Sequence, residues 1–110
     1  MEVVKSKGDK AIVATVKGRI DTVTAPDFEK QVAEIMAGEN SSLVLDCGEL
    51  EYISSAGLRS ILIISKELKQ KGLVVYFSNL QGNVKEVFNI SGFGSIFKIF
   101  DSKEDALQSI

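Results

Sequence analysis

The sequence predicts an α/β fold: one domain over residues 1–110, with a mixed β-sheet made of an N-terminal hairpin plus parallel strands and about four α-helices. Three observations point there. Leu43-Val44-Leu45 and Leu73-Val74-Val75-Tyr76-Phe77 are short continuous apolar runs rather than alternating ones, as expected for strands covered on both faces. Segments with apolar residues at helical spacing lie between and after those runs. The opening of the chain reads as two strands around a glycine-containing turn.

The hairpin is expected to pair residues 3–5 with residues 11–16 across Lys7-Gly8-Asp9-Lys10, the second strand leading into Gly18-Arg19-Ile20-Asp21. A helix should follow. Thr24-Ala25-Pro26-Asp27 offers a capping threonine, a proline in the first turn and an acid three residues on. Phe28, Val32, Ile35 and Met36 would form its buried face, ending before Gly38. The next strand, residues 43–45, is expected to end at Asp46.

At Tyr52-Ile53-Ser54-Ser55-Ala56-Gly57-Leu58-Arg59 a strand-loop segment gives way to a second amphipathic helix. Its apolar stripe is Leu58, Ile61, Leu62 and Leu68, thickened by Ile63 and Ile64, and Gly72 stands where a left-handed terminator belongs. Residues 73–77 form the next strand, closed by Ser78-Asn79. Val84, Val87 and Phe88 mark a third helix stopped at Gly92, with Gly92-Phe93-Gly94 read as a turn. A last strand near residues 97–100 precedes Ser102-Lys103-Glu104-Asp105, a capping box opening a terminal helix with Ala106, Leu107 and Ile110.

Composition excludes several kinds of function. The formal charge of −2 is spread through interleaved lysines and acids, with no basic run, which argues against nucleic acid as a partner. No apolar stretch approaches the roughly 20 residues that span a bilayer, and the first residues form no apolar leader. Membrane insertion is not expected, and a cytoplasmic location is. Cys47 is the one cysteine and histidine is absent, so an intrachain disulfide, the usual zinc sites and any Ser-His or Cys-His catalytic pair are ruled out. Arg59, the cation nearest the serines, stays protonated and cannot act as a base. No enzyme activity and no cofactor are expected.

What remains is the start of the second helix. Ser54 or Ser55 is its N-cap, but the carboxylate of a capping box is missing, because Gly57 or Leu58 occupies that place. The positive end of the helix therefore has no local anion. Gly57 costs about 1 kcal/mol against alanine within a helix. Either a neighbouring strand packs closely there, or a docking surface does. Right-handed crossovers should bring Asp21, Asp46, Ser54, Ser55 and Asn79 to one edge of the sheet.

These residues resemble the STAS domain family, named for sulphate transporters and anti-sigma factor antagonists, and in particular its stand-alone bacterial antagonists. The resemblance spans nearly the whole chain. It rests on Gly18-Arg19-Ile20-Asp21 with Thr24-Ala25-Pro26, on the strand ending in Asp46, on the segment from Tyr52 to Leu58, and on Asn79, Val84, Val87, Gly92 and the Phe97-Lys98-Ile99-Phe100-Asp101-Ser102 ending. It implies a switch in which an anti-sigma factor that is also a serine kinase phosphorylates the domain, a cognate phosphatase reverses the mark, and only the unphosphorylated form holds the kinase and frees the sigma factor. Ser55 falls at the family's phosphoserine position, with Ser54 as the second candidate.

The implied partner surface comprises Asp21, Asp46, Ser54, Ala56, Gly57, Leu58, Arg59 and Asn79, on a monomer or weak dimer. The family pattern Asp-Ser-(Ser or Thr)-Gly-Leu is altered here, Ser54 replacing the aspartate and Ala56 the second hydroxyl. Two other roles remain open at this stage: a constitutive scaffold subunit of a lipid-transport or sensory assembly, and small-molecule sensing at the Asp21, Asp46 and Asn79 edge.

Overall fold

The computed structural model describes every residue from Met1 to Ile110. In chain order the elements are β1 (Glu2–Lys7), β2 (Ala11–Ile20), α1 (Ala25–Met36), β3 (Ser42–Ile53), α2 (Ser55–Gln70), β4 (Val75–Ser78), α3 (Gly82–Ile90), α4 (Phe93–Ile96), β5 (Ile99–Phe100) and α5 (Lys103–Gln108). The sheet runs β1-β2-β3-β4-β5. Its first pair is antiparallel and the other three are parallel.

The continuous apolar run at Leu43-Val44-Leu45 has a two-layer cause. Leu43 and Leu45 join the main core, where α1, α2 and α3 bury Phe28, Ile61 and Phe88. Val44 points the other way, against Ala11, Val13 and Ala106 of α5. Burial on both faces removes the polar alternation of a half-exposed strand.

Four features depart from the sequence expectation. First, β3 does not end at Asp46 but continues to Ile53. Asp46 pairs with Thr15 and Lys17 with Glu49, then Gly18 with Leu50 and Arg19 with Tyr52. At each irregularity β3 carries one residue more than β2, which is a bulge. Buried Cys47, Leu50 and Ile53 are consequently three residues apart, a spacing that hides the strand from a period-two search.

Second, Phe93–Ile96 forms a single helical turn, so the helices number five. Phe93 is clamped edge-on between Phe88 and Phe97, with ring centroids 5.3 Å from each. Third, Leu62 and Ile63 of α2 are exposed at 44% and 40%, while Ser60 is buried in the stripe they were expected to fill. Its hydroxyl donates to Glu29 at 2.6 Å, tying α2 to α1. Fourth, Thr24 occupies the N-cap position of α1 without a side-chain cap bond, because its hydroxyl is engaged in the preceding turn.

Candidate functional site

Ile53 is the last residue of β3, and the Ser54 amide donates to the Ile20 carbonyl at 2.8 Å, pinning the exit of β3 to the end of β2. Ser54 is extended, and its Oγ accepts from the Gly57 amide at 3.4 Å, a long bond. Ser54 is thus the N-cap, and the terminus is weakly capped rather than open. Ser55 is left as the first helical residue, exposed to solvent. The first turn holds no acid, and the Ser55 and Ala56 amides lie ahead of any intrahelical acceptor.

Gly57 answers to packing. It is buried, and a Cβ built there would stand 2.6 Å from Ile53 Cγ1 and 2.8 Å from Ile20 Cγ2. The close approach is that of the β2–β3 pair from beneath, so this candidate contact residue lies inside, supporting the surface. Ala56 and Leu58 are half-buried at the margin of the core. Arg59 is exposed and forms no ion pair.

Asp21 adjoins this point through Ile20. Its Oδ1 accepts from the amides of Val23 and Thr24, both at 3.0 Å, while Thr24 Oγ1 accepts from the Asp21 amide at 2.8 Å and donates to the Arg19 carbonyl at 2.9 Å. The Thr24 amide, above all, holds the Asp21 carboxyl below its ordinary range, and Arg19 adds to the effect. This turn lifts Val23 to 85% exposure. On the neighbouring strands the Arg19 guanidinium carbon lies 4.4 Å from the centre of the Tyr52 ring. Val23 belongs to no motif, and an isolated valine inside a polar turn was its one signal; Tyr52 opens the serine segment, but nothing local marks its stacking under Arg19 on the neighbouring strand.

Asp46 and Asn79 do not join this group. Asn79 Nδ2 donates to Asp46 Oδ1 at 2.9 Å, and the Gly48 amide donates to the same oxygen at 3.2 Å. Asn79 has φ of 60°, in the left-handed region that asparagine tolerates better than most residues. The pair closes the short strand β4, whose last residue, Ser78, is level with Asp46. From there to Ile53 the chain follows β3 for roughly 20 Å. The expected convergence on one edge therefore divides in two, because β2 and β3 run on past the end of β4.

The description "STAS domain" names the family model that matches this chain, over residues 1–106. The chain belongs to the STAS domain family. BtrV of Bordetella bronchiseptica, named as a proposed anti-sigma factor antagonist, is 38% identical over 106 residues, covering 96% of this chain and 91% of that protein. A Thermotoga maritima structure, likewise titled as a proposed anti-sigma factor antagonist, superimposes with a TM-score of 0.89 at 21% identity, covering 98% of this chain and 93% of the other. The phosphorylated form of the Bacillus cell fate determinant SpoIIAA matches with a TM-score of 0.72 at 15% identity, covering 98% of both chains. At those two identities the structures speak for the fold alone. In this STAS domain, no helix is long and apolar enough to cross a membrane.

Proposed function

We propose that this STAS domain is a phosphorylation-controlled anti-sigma factor antagonist without catalytic activity of its own, acting in the cytoplasm. Ser55 is the acceptor, the unphosphorylated form binds an anti-sigma factor with serine kinase activity and releases the sigma factor, and a phosphatase resets the switch. The observation that carries this reading is the exposed Ser55 hydroxyl at the first helical position, at an N-terminus with no first-turn acid. Kinship with BtrV supports it.

Phosphorylation adds about −1.5 to −2 charge at pH 7, together with three acceptor oxygens. The domain accommodates that charge, since a helix N-terminus favours anions. A partner resting on exposed Val23, half-buried Leu58 and the neutral Ser55 hydroxyl does not. It meets bulk, charge and a desolvation penalty, and a loss of about 3–4 kcal/mol weakens binding by several hundred-fold.

Incubation with the cognate kinase and ATP, followed by peptide mass spectrometry, is expected to place one phosphate on Ser55. Ser55→Asp should weaken kinase binding at least 100-fold, with Ser55→Ala binding as the parent does. Phosphate found solely on other residues would overturn the reading. Undiminished binding by Ser55→Asp would point to a constitutive scaffold subunit instead.

A further inference from the structure

Arg59 is a cation without a standing counter-ion. The chain holds two arginines, and the other is committed: the Arg19 guanidinium carbon lies 4.4 Å from the centre of the Tyr52 ring, and its charge helps to hold the Asp21 carboxyl low. Arg59 is exposed and joins none of the ion pairs. Its neighbours on the surface of α2 are Ser55 and Ala56 on one side and Leu62 and Ile63 on the other, and none of them is acidic. On the adjoining elements, Asp21 accepts the Val23 and Thr24 amides, Asp27 accepts the Gln31 side chain, and Glu51 is exposed near the end of β3. Arg59 is paired with none of these.

Helix geometry offers it a conditional partner. Side chains on a helix lean toward its N-terminus, so Arg59 reaches back over the turn that begins at Ser55. Residues four apart have Cβ atoms about 5–6 Å from each other, and an anion placed N-terminal to the cation is the favoured order. Both side chains are exposed, so each is free to reach the other.

Resting on the reading of Ser55 as the acceptor, we propose that Arg59 is the counter-ion of the phosphorylated residue and holds its phosphate against the head of α2. The phosphate brings three acceptor oxygens and the planar guanidinium brings paired donors, a bidentate match that a lysine ammonium does not reproduce. The positive end of the helix adds an attraction of the same sign. The mark thereby changes the docking surface twice. An ordered anion appears on it, and its one uncommitted guanidinium is withdrawn.

The full-length protein is prepared with phosphoserine installed at position 55 during translation, so that no kinase is needed, and ³¹P NMR follows the second ionisation of the phosphate against pH. Arg59→Gln should raise that pKa by about 0.3 or more, the worth of an i,i+4 pair that favours the dianion. Arg59→Lys should recover part of the difference, and Arg19→Gln should move the pKa less than Arg59→Gln does. In thermal melts, the Tm of the phosphorylated form relative to the unmodified form should fall by about 2 °C with Arg59→Gln. An arginine of merely structural value would shift both forms alike. A pKa unmoved by Arg59→Gln, or moved further by Arg19→Gln, would overturn the proposal. An unmarked Ser55 after incubation with the kinase would defeat the switch and not this pairing, which the titration decides by itself.

Discussion

Gly57→Ala tests whether the glycine at the head of α2 is there for packing. A built Cβ falls 2.6 Å from Ile53 Cγ1, 2.8 Å from Ile20 Cγ2 and 3.2 Å from Ile20 Cβ. Carbon atoms rest comfortably at about 3.5–4.0 Å, so both isoleucines must yield by roughly 1 Å. Each is 1% exposed and β-branched, with little rotamer freedom to absorb the shift. Overpacking of this kind costs about 1–3 kcal/mol, while alanine returns at most about 1 kcal/mol through helix propensity.

The net expectation is a loss of about 1–2 kcal/mol, or roughly 4–12 °C in Tm for a domain of this size. Thermal melts and urea titration, with the m-value unchanged, measure it. In an Ile53→Ala background the penalty should shrink, because the nearest clashing atom is gone. A Gly57→Ala variant as stable as its parent would refute the packing argument and return this glycine to the list of docking contacts.

Ser78 Oγ is buried without a hydrogen-bond partner, so Ser78→Ala should leave stability unchanged or raise it by up to about 1 kcal/mol; a clear loss in urea titration would contradict this. The Asp21 carboxyl has a lowered pKa in the folded state, so its contribution is present above the ordinary value of 3.8 and is lost as pH falls through the folded value. The stability gap between the parent and Asp21→Ala should therefore narrow below about pH 4, and a gap equal at pH 7 and pH 2 would count against it. Burial, aided by the Asp46 charge, pushes the Cys47 thiol up to about 12. At pH 8 a thiol reagent should modify the native protein slower than the urea-unfolded chain by on the order of 100-fold or more, and equal rates would show that the site opens.

Much of the architecture could be read in advance, because it rests on local patterns. The strand runs at 43–45 and 75–77 (Leu73 and Val74 of the expected run precede the strand), the stop at Gly92, the cap at Ser102 and the two serines heading α2 each declare themselves within a few residues. The exposed Leu62 and Ile63 did not, since periodicity marks an apolar stripe but not where along it a neighbour is packed. Ser60 took the inward place because Glu29, thirty-one positions away in the chain, was there to receive its proton donor.

The surface at Ser55 divides in the same way. A serine ahead of an acid-free first turn follows from residue order alone, through the rules of helix capping. That Ser54 rather than Ser55 caps, that Gly57 faces inward and that Asp46 and Asn79 stand away from both depended on β3 outrunning β4 and bending over β2 through two bulges. Order along the chain reaches only nearest neighbours. Burial and mutual distance arise when segments remote in sequence compete for the same space, and here Ile20 and Ile53 settled that competition beneath the helix.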